Sequence, residues 1–149
     1  MKKVNWKIST LWFLISYYCC FAIITLHTII VIQKMGSLES YYPAYVKTFP
    51  FHPLYCIIIW SVFAFLYYRM AKTEKKQRKT ALYLGSIWSI SIIVLDLIGW
   101  VIIQHPYTLS FYEFYVEAQP WITMVYIAIF ASPFIGMFLY DKVPVKKKN

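Results

Sequence analysis

A chain of 149 residues that is 60% hydrophobic and only 14% charged lies outside the usual range of soluble domains, in which about a quarter of residues are charged. Its formal net charge of +9 would suit nucleic acid, yet 13 of the 15 basic residues sit in three short clusters between long uncharged runs. That distribution is a membrane topology signal, and nucleic acid is not an expected partner.

Lys2, Lys3 and Lys7 open the chain, followed by the apolar run Thr10 to Ile32. The run is too long for a signal-peptide core and no small-residue cleavage site follows it, so it is expected to remain as the first span. Phe51 to Tyr68, Ala81 to Ile103 and Trp121 to Tyr140 are the further candidate spans, each near the length that crosses about 30 Å of hydrocarbon, with the second the shortest. Arg69, Lys72, Lys75, Lys76, Arg78 and Lys79 separate spans two and three, and Lys142, Lys146, Lys147 and Lys148 follow span four. Only Lys34 and Lys47 fall elsewhere. The positive-inside rule therefore predicts both termini in the cytoplasm and loops 33–50 and 104–120 outside, with a bacterial plasma membrane as the expected location.

Seventy residues apart, Ser40-Tyr41-Tyr42-x-x-Tyr45-Val46-x-x-x-Pro50-Phe51 recurs without a gap as Ser110-Phe111-Tyr112-x-x-Tyr115-Val116-x-x-x-Pro120-Trp121. Between residues 31–51 and 101–121, seven of 21 positions are identical and two more exchange one aromatic for another. The pattern predicts one integral membrane domain, residues 1–149, built as two tandem hairpins: repeat 1 about 8–72, repeat 2 about 78–142, with a basic tail at 141–149. Each half runs in, out and back, so the repeats are parallel and related by a pseudo-two-fold axis along the membrane normal. The expected fold is all-α, a four-helix bundle of transmembrane hairpins with short interfacial helices in the two outer loops.

In lipid, such a bundle needs close packing of small residues. Ala128, Ser132 and Gly136 in span four, and Gly85, Ser89, Asp96 and Gly99 in span three, share helical faces and are the predicted contacts. Pro133 is expected to kink span four. In the outer loops, Ser110-Phe111-Tyr112-Glu113 fits a capping box. Ser40 is the matching cap in the first half, with Pro43 in the first turn. Glu113 and Glu117 would form the polar face of a helix lying in the headgroup layer, opposite Phe111, Phe114, Tyr115 and Ala118; an ordinary aromatic belt is the alternative. Lys47 and Glu117 occupy equivalent positions and are expected to meet across the pseudo-axis.

Asp96 is the only carboxylate inside a span, about 10 Å below the outer boundary. A charge at the bilayer centre costs about 2.5–3.5 kcal/mol on insertion scales, so Asp96 is expected to face a partner, a cavity or a proton path. His27, which the repeat places at nearly the same depth, is its predicted partner. Cys19 and Cys20 fall near mid-membrane and Cys56 near the outer end of span two, without the accessible dithiol that a thiol oxidoreductase needs. His52-Pro53 and His105-Pro106, with Glu113 and Glu117, would be the donors of an outward metal site, but their spacing specifies none. No metal, haem or other cofactor is expected. The chain contains no G-x-S-x-G, H-E-x-x-H or Walker A motif, and no catalytic residue is assigned.

Three functions fit. The first is binding or movement of a small apolar or cationic ligand through an outward aromatic cleft of Tyr42, Tyr45, Trp100, Tyr112, Tyr115 and Trp121. Asp96 and His27 would be its buried polar groups. Membrane lipids and a second copy or larger membrane complex are the expected partners. The second is a noncatalytic accessory or immunity-type subunit. The third is an intramembrane lipid or isoprenoid enzyme using Asp96 and His27 as acid and base.

Overall fold

The computed structural model describes residues 4–35, 41–73, 77–103 and 109–143. Helix α1 spans Trp6–Met35, α2 Tyr41–Thr48, α3 His52–Met70, α4 Arg78–Asp96 and α5 Trp121–Lys142, and no strand occurs among the described residues. A 3-10 turn, Phe49–Phe51, joins α2 to α3, and a π-helical segment, Leu97–Ile102, prolongs α4. Four helical runs of 30, 28, 25 and 22 residues are long and apolar enough to cross a membrane. At 1.5 Å per residue even the shortest reaches about 33 Å.

The second run extends from Pro43 to Met70, so it begins eight residues before the expected Phe51. Its prolines do not stop it, because each sits where a missing N–H costs little. Pro43 lies in the first turn of α2, Pro50 in the 3-10 turn and Pro53 in the first turn of α3. The expected cap Ser40 lies outside the described residues.

The most extensive helix contact is α3 against α5; α4 packs on α5, α1 on α3, and α2 folds back on α1. Small residues make the central seam. A Cβ on Gly136 would stand 2.7 Å from both the Ala64 Cβ and the Phe65 backbone nitrogen, so α5 and α3 touch main chain to main chain there. On the α4 side, a Cβ on Gly85 would lie 2.5 Å from the Phe130 carbonyl oxygen. Ala128 and Ser132 are buried along the same face of α5, and Ser132 Oγ donates to the Ala128 carbonyl at 2.7 Å. Pro133 is buried beside them, in a helix that continues unbroken to Lys142.

Gly99 departs from the expected packing face: nothing lies within 4 Å of a Cβ placed there. The reason is local. After Asp96 the helix widens to i→i+5 bonding, as in the 2.9 Å bond from Ile103 N–H to the Ile98 carbonyl, and the wider turn takes Gly99 off the face defined by Gly85, Ser89 and Asp96.

In the loop before α5 the capping box forms as predicted. Ser110 N–H donates to Glu113 Oε2 at 2.7 Å, and Glu113 N–H donates to Ser110 Oγ at 3.1 Å. The turn it starts runs on as a π-helix, Glu113–Glu117, and buries Phe114 and Ala118 while Phe111 and Tyr112 stay exposed. Lys47 does not make the expected approach to Glu117; its amine donates to the Met35 thioether at 3.6 Å, because α2 folds onto the end of α1.

Two measurements test this packing. Gly136→Ala gains helix propensity of about 1 kcal/mol but must displace the Phe65 backbone, so its thermal midpoint in detergent falls below wild type, whereas Gly99→Ala is neutral or mildly stabilising. Equal midpoints for the two would dismiss the seam. The Ser110 N–H and hydroxyl hold the Glu113 carboxyl below the usual glutamate range. With a depressed folded value, the cap's contribution is present above the unfolded value near 4.3 and disappears as pH falls through the folded one. A carboxyl 13C titration should show a low midpoint for Glu113 that rises in Ser110→Ala.

Candidate functional site

On α4, Gly85, Ser89 and Asp96 face α5, and one residue of α5 receives both polar members of that face. Ser89 Oγ donates to the Tyr126 carbonyl at 3.3 Å, and the Tyr126 hydroxyl donates to Asp96 Oδ2 at 3.0 Å. The Tyr115 hydroxyl donates to the Ile93 carbonyl at 3.3 Å and so fastens the turn before α5 to α4. Asp96 is 9% exposed, and Tyr126 is its one hydrogen-bond partner among the described residues.

Beside Asp96 lies a cavity of about 100 Å³ enclosed by α1, α3, the end of α4 and α5. Its walls are mostly apolar and aromatic, with Tyr17, Trp60, Trp100 and Phe114 prominent. Tyr45 from α2 stacks on Trp100, with ring centroids 6.3 Å apart and planes at 23°, and so covers the π-helical extension of α4. An engineered apolar cavity of about 150 Å³ holds benzene, and drug-sized sites need about 300–1,000 Å³. The space beside Asp96 suits a molecule smaller than benzene.

One face of α3, at spacing four, supplies His52, Cys56 and Trp60 to the same cavity. Thr48 Oγ1 donates its single proton to the Tyr45 carbonyl at 2.7 Å, so at 2.9 Å it accepts from His52 Nε2. Cys20 of α1 faces Cys56 with 3.3 Å between sulfurs, and both are buried. Trp60 is 1% exposed, and its indole N–H has no hydrogen-bond partner among the described residues.

The predicted site residues separate into those the fold gathers and those it does not. Asp96 and Trp100 line the cavity, and Trp121 borders an adjoining space of about 20 Å³ that shares His52 and Phe114 with it. Tyr115 is not a wall of the cavity either; its hydroxyl bonds to the Ile93 carbonyl on α4. Tyr112 is 61% exposed and forms no part of the cavity wall, and of the Tyr42 side chain nothing is described. His27 does not pair with Asp96. Its Nδ1 lies 3.1 Å from the Tyr55 hydroxyl and its ring meets Phe51 edge-on at 5.2 Å, because α1 packs on α3 while Asp96 faces α5. Glu113 is occupied by its capping box, His105 lies outside the described residues, and the described residues contain no cluster of three metal-ligating side chains.

Sequence reasoning missed Tyr126 and the meeting of Cys20 with Cys56, and it considered His52 only as a metal donor at a span boundary and not as a wall of the cavity. The cysteines were expected at different depths because span two was begun too late. Cys56 stands at the middle of the run Pro43–Met70 and Cys20 at the middle of Trp6–Met35, so the two are level. The available signal was the stripe His52, Cys56, Trp60, Ala64, four apart on one helical face. Tyr126 carried no signal apart from the span's other residues.

No family model matches the chain, no curated protein matches it in sequence, and no solved structure matches it in fold.

Tyr126→Phe removes the one bond to Asp96 among the described residues and leaves a buried acceptor without it, a loss of about 1–3 kcal/mol. Ser89→Ala, at a 3.3 Å bond to a carbonyl, costs less. Thermal midpoints should rank Tyr126→Phe below Ser89→Ala, and the reverse order would show that Asp96 does not depend on the tyrosine.

Proposed function

We propose that the protein is a multi-pass membrane protein that binds, and helps to move, a small cationic ligand in the aromatic cavity beside Asp96. One observation carries the reading: a buried carboxyl with no basic partner among the described residues adjoins a cavity walled by Tyr17, Trp60 and Trp100. A carboxylate among aromatic faces attracts a cation through charge and ring quadrupoles together. The cavity's volume narrows the candidates to ions of simple alkylammonium size.

The reading includes a topology. The basic clusters support cytoplasmic termini and a cavity that opens toward the outer side of a bacterial plasma membrane. Two tandem hairpins are supported by the recurring loop pattern and by the arrangement of helices, α3 against α5 at the centre, α1 beside one and α4 beside the other. The outer turns with their exposed Phe111 and Tyr112 would lie in the headgroup layer, in contact with lipid. Four spans are few for a carrier, so movement of a ligand calls for a second copy.

One observation favours the accessory-subunit reading instead. A groove of about 480 Å³ between α1 and α4, lined by Leu14, Ile87, Ile90 and Val94 with the hydroxyls of Thr10 and Ser91 among them, lies on a surface that neither α3 nor α5 covers. The enzyme reading loses its support, since His27 and Asp96 have different partners.

Titration of the protein in lipid nanodiscs with methylammonium, tetramethylammonium and tetraethylammonium, followed by the fluorescence of the cavity tryptophans, tests the proposal. The expected result is saturable binding of the smaller ions that weakens at least tenfold in Asp96→Asn. No saturable response, or one indifferent to Asp96→Asn, sinks it. Native mass spectrometry from the same discs would reveal the alternative as another polypeptide co-released from wild type and mutant alike.

A further inference from the structure

Two thiols that meet inside the cavity have no part in the cation reading and need a separate account. We propose that Cys20 and Cys56 are an oxidisable dithiol that reacts with hydrogen peroxide and closes to a disulfide joining α1 to α3. Three observations lead there. The sulfurs stand 3.3 Å apart, and a disulfide needs about 2.05 Å. Both line the same cavity, so a small molecule placed there touches both. Finally, the cavity's volume of about 100 Å³, less than the space that holds benzene, suits a small oxidant such as peroxide better than glutathione or a partner protein's disulfide.

The chemistry balances with peroxide as the only co-reactant. The Cys20 thiolate attacks one peroxide oxygen, the O–O bond breaks, and hydroxide leaves; the proton given up by Cys20 converts it to water. Cys20 is now a sulfenic acid. The Cys56 sulfur attacks the sulfenic sulfur, the S–O bond breaks as the S–S bond forms, and the departing oxygen takes the Cys56 proton to leave as a second water. Two thiols lose two electrons, and one peroxide becomes two waters. Cys19, the neighbouring residue, is half-buried and is not among the cavity's walls, so it serves as an internal control.

The experiment uses the whole protein in lipid nanodiscs, reduced and desalted, then exposed to hydrogen peroxide and denatured in the presence of a maleimide carrying polyethylene glycol. Reduced protein takes three labels, one for each cysteine. Peroxide should lower the count to one, with the loss of two hydrogens in intact mass and no larger species on a non-reducing gel, and dithiothreitol should restore it. In Cys19→Ser the count should fall from two to none. In Cys56→Ser the reaction should halt at a sulfenic acid on Cys20, trapped there by dimedone. Three labels persisting after peroxide, label loss through dimers that disappear in Cys19→Ser, or dimedone found on Cys19 would each overturn the proposal.

Discussion

Between helices immersed in hydrocarbon, apolar area supplies little net drive, since lipid tails are as apolar as leucine, and cohesion falls to close packing and hydrogen bonds. In this bundle the central close packing is at Gly136, where α5 meets the α3 backbone at Ala64 and Phe65. Dispersion falls off within a fraction of an ångström, so such an approach holds only while no side chain intervenes. From that contact the positions of the other helices follow. α4 lies on α5 through Gly85 and the Phe130 carbonyl, and α1 lies on α3. Trp60 and Trp88, with ring centroids 5.4 Å apart, fill the middle, and the Trp88 indole N–H donates to Ser9 Oγ at 3.1 Å to tie α4 to α1.

The cavity is a consequence of this arrangement at its other end. Trp60 is both a wall of the cavity and the neighbour of Trp88, so the tryptophan pair closes it on one side. Toward the turns that join the helices at that end, α4 changes to a π-helix immediately after Asp96, and Trp100 is carried to a position where Tyr45 covers it. Phe114, turned inward by the helical turn that Ser110 and Glu113 start, supplies a further wall. Local backbone chemistry at two places in the chain, the widened turn and the capping box, thus shapes a space that no single helix defines.

What could be read in the sequence was what local rules decide. The four apolar runs, the capping box at Ser110 and the packing faces through Gly85, Ser89 and Asp96 and through Ala128, Ser132 and Gly136 depend on composition and on 3.6-residue periodicity, and the fold has them. What could not be read depends on how one helix is offset against another. His27 sits at a depth compatible with Asp96, but depth does not say which neighbour a helix face meets, and α1 meets α3. Span two began too late because Lys47 and three prolines resemble loop composition, whereas each proline occupies a first turn or a 3-10 turn. That single offset concealed the meeting of Cys20 with Cys56. Gly99 was misjudged for a different reason, since a constant 100° per residue does not survive the change to π-helical bonding.

Asp96 is costly where it stands. An acidic residue within a span costs about 2.5–3.5 kcal/mol at the bilayer centre and somewhat less toward the boundary. The hydrogen bond from Tyr126 offsets about 1 kcal/mol of that, or up to about 3 if the carboxyl is charged. An apolar residue of similar volume would face the α5 seam at no such cost, as replacements of buried polar groups in other proteins indicate. The geometry also gives the carboxyl more than a structural hydrogen bond requires. Ser89 already joins α4 to α5 at the Tyr126 carbonyl, and the contact of Gly85 with Phe130 sets the helix separation, so the acid adds little to the placement of α4. What Asp96 adds is a polar group at the edge of an aromatic space, held by Tyr126. Stability alone accounts for the seam but not for an acid beside a cavity, and the binding proposed above would account for both the acid and the rings around it.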